Sequence, residues 1–130
     1  MIVVDASAAV DLFCATDDRR GRIGARVAAA STLHVPALFD LEVMQSLRGL
    51  EAGRVVPDDI LEAALDDLVD LRAIRHRHEL LRPRVWALRH NLSAYDAAYV
   101  ALAELLEAPL LTSDAALARS AGHEATIEQV

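Results

Sequence analysis

Ile2-Val3-Val4-Asp5-Ala6-Ser7-Ala8-Ala9-Val10 decides the fold: a β-branched apolar run stops at an acid, and small helix-forming residues follow. A strand with no polar member belongs at the centre of a parallel sheet, where both of its faces are covered. Ala6 to Phe13 then reads as helix, so the opening is a strand feeding a helix.

The alternation continues outward. Asp17 to Gly24 is charged and glycine-punctuated and is expected as a loop, with a short Ala-rich helix over Arg26 to Ala30. Leu33-His34-Val35 forms a second strand, ended by Pro36, and a helix runs from about Leu38 to Leu50 before Gly53 closes it. Pro57 opens an amphipathic helix to about Leu71, with Ile60, Leu61, Ala64, Leu65 and Leu68 opposite a solvated face of Asp59, Glu62, Asp66 and Asp70. Ala73-Ile74, Leu110-Leu111-Thr112 and Thr126-Ile127 supply further strands, separated by helices over Glu79 to Arg89, Ser93 to Glu107 and Ala115 to Ser120. Strands alternating with helices predict an α/β protein, a three-layer α/β/α sandwich around a mostly parallel sheet.

With 130 residues the chain is expected to form one domain over 1–130. Hydrophobic residues make up 54% and aromatics only 4%, so Ala, Val, Leu and Ile must build the core. Cys14 is the only cysteine, which excludes an internal disulfide framework and a multi-cysteine zinc site and fits a reducing compartment. The apolar opening lacks a basic leader region and is broken by Asp5 and Asp11, and no run reaches the length of a membrane span. A cytoplasmic protein without membrane association is expected.

The net charge of −7 is unevenly spread. Arg72 to His90 holds six arginines (72, 75, 77, 82, 84 and 89) against Glu79, a local +5 that leaves −12 for the remainder. Lysine is absent.

Ligands of open parallel sheets sit at the carboxyl ends of the strands, so acids there are the candidates for chemistry. Asp5 follows the first strand, Glu42 lies one turn into the helix after the second, and Asp114 follows the fourth. Asp96 occupies the first turn of a helix that is apolar nearly all round, where an unpaired carboxylate is costly. Each has a plainer reading: Asp5 and Asp114 as N-caps, Asp96 as half of a capping box with Ser93, Glu42 as a solvated acid. Asp40 rivals Glu42, but two positions on a helix differ by about 200°, so only one can face the site.

Their joint placement at one sheet edge favours a common site. Two carboxylates ~4 Å apart repel by roughly 4 kcal/mol at an effective dielectric of 20, so a cluster protonates or holds cations. Oxygen ligands without Cys or His select Mg²⁺ or Mn²⁺ over zinc, and such ions can activate water against a phosphodiester.

Asp5-Ala-Ser7, Pro36 with Glu42 following, Tyr95-Asp96-Ala-Ala-Tyr-Val-Ala-Leu-Ala-Glu104 and Leu-Leu-Thr112-Ser-Asp114 together resemble the PIN-domain family, specifically its VapC-type toxins. The likeness spans nearly the whole chain, and the order and spacing of the four blocks make it specific. It implies a PIN-like fold, Mg²⁺-dependent endoribonuclease activity with Mn²⁺ as a substitute, a homodimer, and a cognate VapB-like antitoxin. Asp5, Glu42, Asp96 and Asp114 fall on the family's acidic positions, with Asp5, Asp96 and Asp114 as metal ligands, and Ser7 and Thr112 match supporting hydroxyl positions. Ala115 and Ala116 stand where some members carry a further acid, so a second metal site does not follow. The resemblance also gives Arg72, Arg75, Arg77, Arg82 and Arg84 a role as a flank that holds RNA phosphates; a solvated face paired with acids is the other reading. His34, His76, His78, His90 and His123 are read as surface or internally satisfied.

Rival folds fail on particular residues. A phosphoacceptor receiver uses a lysine, a phosphatase of the DxD type needs an aspartate where Ser7 stands, and a dinucleotide-binding fold needs GxGxxG after a strand. A catalytically silent PIN-like binding module is the alternative of a different class, disfavoured by the presence of all four acids.

Overall fold

The computed structural model describes residues 1–130, in which β1 (Ile2–Val4), β2 (Leu33–Pro36), β3 (Ala73–His76), β4 (Leu110–Thr112) and β5 (Ile127–Gln129) form one sheet. Its order is β3-β2-β1-β4-β5, and every neighbouring pair is parallel. β1 is central, as its uninterrupted apolar run requires: Ile2 and Val3 are fully buried. It pairs through Val3 with His34 of β2 on one side and Leu110 of β4 on the other.

Helices α1 (Ala6–Cys14), α2 (Asp18–Ala28), α3 (Phe39–Ala52) and α4 (Asp58–Asp70) pack on one another, with α1 touching the other three. α5 (Arg82–Ala87) packs on α6 (Ala94–Leu106), which lies across β1, β2 and β4, and α7 (Ala115–Ala118) bridges β4 and β5. The result is the expected three-layer α/β/α sandwich. α6 is buried without a break from Ala97 to Ala103, because its small side chains let it settle onto the sheet. Cys14 is a buried free thiol. No helix is long and apolar enough to cross a membrane.

Three local expectations are corrected. The loop expected over Asp17 to Gly24 and the short helix over Arg26 to Ala30 are one helix, α2. Asp17 caps it through the Arg19 N–H at 3.0 Å, Asp18 pairs with Arg22 one turn on, and Ile23 is fully buried, which outweighs the roughly 1 kcal/mol that each glycine costs in a helix. The helix expected over Glu79 to Arg89 is a 3-10 turn, His78–Leu80, followed by the shorter α5. Pro83 is the reason: it is tolerated only in a helix's first turn. Pro36, expected just beyond β2, is its last residue and pairs with His76, which is allowed because the β1 pairing stops at His34 and no hydrogen bond to β1 is lost.

His34 is a satisfied core histidine. Its Nδ1 lies 2.9 Å from His76 Nε2, and its Nε2 lies 2.9 Å from Thr32 Oγ1.

Ile23→Ala should destabilise the protein by about 2–5 kcal/mol in urea unfolding, since the cavity forms where α2 closes on α1. Val69→Ala on the exposed side of α4 should change stability by less than about 0.5 kcal/mol. Equal effects would show that α2 is not anchored through Ile23.

Candidate active site

The chain leaves β1 toward β2 and β3, and returns past it to β4 and β5, so the order reverses between β1 and β4. Loops leaving two such strands diverge and open a crevice at their carboxyl ends. Asp5 and Ser7 follow β1 there, Thr112 ends β4 and Asp114 follows it. α3 contributes Glu42 and the first turn of α6 contributes Asp96. Asp5, Ser7, Glu42, Asp96 and Asp114 line one cavity of about 250 Å³ together with Ala6, Gln45, Ser46 and Tyr99. No cationic side chain lines it.

Asp5 is 5% exposed and is the most constrained of the four. Its Oδ1 accepts from the Ala8 N–H at 2.9 Å, its Oδ2 from Thr112 Oγ1 at 2.6 Å, and both from Ser7 Oγ at 2.8 and 2.9 Å. It therefore caps α1 and faces the cavity at once. Ser7 Oγ in turn accepts from the Ser113 N–H at 3.0 Å, and Thr112 Oγ1 from the Asp114 N–H at 2.9 Å, so the two hydroxyls bind the β1 end to the β4 end.

Asp114 likewise caps α7. Its Oδ1 accepts from the N–H groups of Ala116 and Leu117 at 2.7 and 3.3 Å. Of the expected capping box at α6 one half forms: Ser93 Oγ accepts from the Asp96 N–H at 3.1 Å. Glu42 Oε2 accepts from the Tyr99 hydroxyl at 2.6 Å.

The electrostatics register the crowding. Burial pushes the Asp5 carboxyl above its ordinary range, against the lowering effect of Thr112, Ala8 and Ser7, and the charge of Asp114 adds to the rise. Burial raises Glu42 too, opposed by the Tyr99 hydrogen bond and reinforced by Asp96 and Asp5. Asp96 is raised by burial and by Asp114. Beside Glu42 the buried Tyr99 phenol is pushed far above its usual value, so its proton stays on the oxygen.

Carboxylate and hydroxyl oxygens, without nitrogen or sulfur, make a donor set for a hard divalent cation. No three Asp, Glu, His or Cys side chains are placed to cage an ion unaided. Water would have to complete the shell of any ion held there, as it does for Mg²⁺. A larger cavity, about 640 Å³ beside β5, is also acid-lined. Two of its four carboxylates, Glu104 and Glu128, are neutralised by Arg84 and Arg26, which leaves Glu107 and Glu124 and so less uncompensated charge than in the first.

Asp40, the rival to Glu42, is held by Arg75 away from the cavity. None of Arg72, Arg75, Arg77, Arg82 and Arg84 lines the acidic cavity. Arg75, Arg77 and Arg84 hold Asp40, Glu79 and Glu104, whereas Arg72 and Arg82 hold no carboxylate. Tyr99 was not singled out from sequence; the signal was its spacing of three from Asp96, which places both on one side of α6. Gln45 and Ser46 carried no such signal.

The PIN domain family model matches residues 2–122. The chain is 40% identical over 119 residues to Ribonuclease VapC3 of Mycobacterium tuberculosis, covering 92% of this chain and 86% of that one. It is 41% identical over 133 residues to Ribonuclease VapC12 of the same organism, covering 100% and 99%. Its fold superposes with a TM-score of 0.68 at 14% identity on a chain of VapBC2 from Rickettsia felis, solved bound to a DNA fragment from their promoter, covering 100% of this chain and 99% of that one.

Raised carboxyls stabilise the fold below their unfolded-state range, and that contribution is lost as pH climbs through the raised folded values. Without divalent cations, Asp96→Asn should therefore melt about 2–5 °C higher than the parent protein at about pH 8, a gap that closes toward pH 4. Mg²⁺ should raise the parent's midpoint more than the variant's. A variant that melts lower, or a parent indifferent to Mg²⁺, would show that Asp96 is not under strain from its neighbours.

Proposed function

The chain belongs to the PIN-domain family, and from that premise we propose that it is a divalent-metal-dependent endoribonuclease, the toxin of a type II toxin–antitoxin pair acting in the cytoplasm. The observation that carries this reading is the convergence of four carboxylates from four separate parts of the chain on one cavity that has no cation of its own.

Asp5, Asp96 and Asp114 would hold Mg²⁺, or Mn²⁺ in its place. When bound, such an ion supplies positive charge to a phosphodiester and acidity to a water. Ser7 and Thr112 orient Asp5 by donating to both of its oxygens. Glu42 is suited to take the proton of an attacking water, because burial has raised its proton affinity and the Tyr99 hydroxyl fixes its Oε2. Buried α6 and the sheet set these groups on rigid elements, so positioning needs no large movement of the backbone.

Of the five arginines expected to flank RNA, Arg72 and Arg82 are the two free of carboxylates and so the ones available to phosphates. A cognate VapB-like antitoxin is proposed to inhibit the enzyme by placing a basic residue in the acidic cavity, where a guanidinium would replace the missing charge. The VapBC2 neighbour and the VapC relatives support such a partner, and the same family likeness supports a homodimer.

Asp5→Asn or Asp96→Asn should lower RNA cleavage by at least ~100-fold, Asp96→Asn with the fold intact and Asp5→Asn with some loss of stability, and EDTA should stop cleavage until Mg²⁺ or Mn²⁺ is restored. Full activity in both variants would remove the metal-site assignment. Tyr99→Phe deletes the hydrogen bond that holds Glu42 down, so the acid limb of the pH–rate profile should move to higher pH. An unmoved limb would argue against Glu42 as the base.

A further inference from the structure

The chain has two Phe, two Tyr and one Trp. Phe13, Phe39 and Tyr99 are buried in the core, whereas Tyr95 in the first turn of α6 and Trp86 on α5 are 63% and 69% exposed, and Trp86 is the larger. A large aromatic left in water on a small acidic protein calls for an occupant, and its neighbours indicate which. Arg82, Trp86 and Arg89 follow one another at spacings of four and three, so they form one stripe along α5 and the turn after it. The Arg89 guanidinium carbon stands 4.8 Å from the Trp86 ring centroid, and its Nη1 donates to the Trp86 carbonyl oxygen at 2.8 Å. Arg89 thus covers one face of the ring, and the other is left to solvent.

Charge sets this stripe apart from the rest of the basic stretch. Arg75, Arg77 and Arg84 are each spent on a carboxylate, but Arg82 and Arg89 have none. An indole with Arg89 on one face, and with Arg82 one turn before it on α5, matches a ligand that is both anionic and flat. We propose that Trp86 is a stacking platform for an unpaired RNA base, with Arg82 and Arg89 holding the phosphates beside it. The proposal rests on the ribonuclease reading and adds to it a residue that selects RNA with an unstacked base, since bases inside a duplex offer no free face. The stripe lies on the segment that leads into the acidic cavity. Arg89 stands four residues before Ser93, the cap of α6, and its Cα is at most about 25 Å along the chain from Asp96.

Trp86 is the only tryptophan, so its emission reports the site directly. With EDTA present at low ionic strength, a single-stranded mixed-sequence oligoribonucleotide should quench that emission, and the same strand annealed to its complement should not. Trp86→Ala should weaken binding about tenfold, Trp86→Phe should restore most of it, and Arg82→Ala or Arg89→Ala should lower the salt dependence by about one counterion each. With Mg²⁺, Trp86→Ala should raise KM for cleavage and leave kcat little changed, while Val69→Ala, on an exposed site of α4, alters neither. RNA bound and cut equally by Trp86→Ala and the parent would overturn the platform and leave the nuclease reading standing. Emission that changes with protein concentration alone, or equally with polyglutamate, would assign the stripe to a second copy or an acidic chain and overturn the proposal. A parent protein that neither binds nor cuts any RNA would overturn both readings together.

Discussion

The structure depends on a carboxylate buried where β1 ends. Asp5 is 5% exposed, yet it neither faces an arginine nor reaches water freely. It is kept there by the Ala8 N–H and the hydroxyls of Ser7 and Thr112, hydrogen bonds to an ionised group that are about twice as strong as neutral ones. Those contacts come from the next helix and the neighbouring strand, so the group that is hardest to bury also joins β1, α1 and β4 at one point. The offset is incomplete, because the carboxyl still titrates above its ordinary range. What the hydrogen bonds leave uncompensated is the attraction that the cavity has for a cation.

Capping and site-building are usually weighed as competing explanations for an acid at a strand end, and here they are the same device. Asp114 Oδ1 accepts from the N–H groups of Ala116 and Leu117 in α7, which fixes the rotation of its carboxylate and so the direction of its other oxygen. Asp5 does the same at α1 with one oxygen while the other meets Thr112. At α6 the roles are divided, because Ser93 takes the cap and leaves the Asp96 carboxylate for the cavity. Helix termini also bring their positive dipole ends to this edge, which lowers the cost of gathering negative charge there.

Periodicity made the sheet legible and chain chemistry made the site legible, each within limits. The run Ile2-Val3-Val4 could only be a doubly covered strand, and the acids at strand ends followed from where parallel sheets open. α2 was missed because Gly21 and Gly24 signal a turn locally, whereas the burial of Ile23 against α1 is a tertiary effect that no window of sequence contains. The late start of α5 is the opposite case: Pro83 is a local signal that confines it to a helix's first turn. Partners across the fold were beyond reach. Nothing in sequence tells that Tyr99 meets Glu42, 57 positions away, or that Arg84 is taken up by Glu104 while Arg82 is left free.

An acidic chain proposed to handle a polyanion must solve its charge problem locally, and the ion pairs show how narrow the solution is. Of 13 arginines, Arg19, Arg22, Arg26, Arg75, Arg77 and Arg84 are engaged by carboxylates. The basic stretch that reads as +5 in sequence is therefore, in the folded molecule, a few free guanidiniums among neutralised pairs. Affinity for phosphate cannot come from a broad basic face of the kind that releases many counterions. On the proposed reading a cation held among the carboxylates would supply the remainder, with a small number of free arginines guiding the strand toward it. On that proposed division of labour the acids would attract the ion and the ion the scissile phosphate, while the free arginines hold the strand whether or not the ion is present.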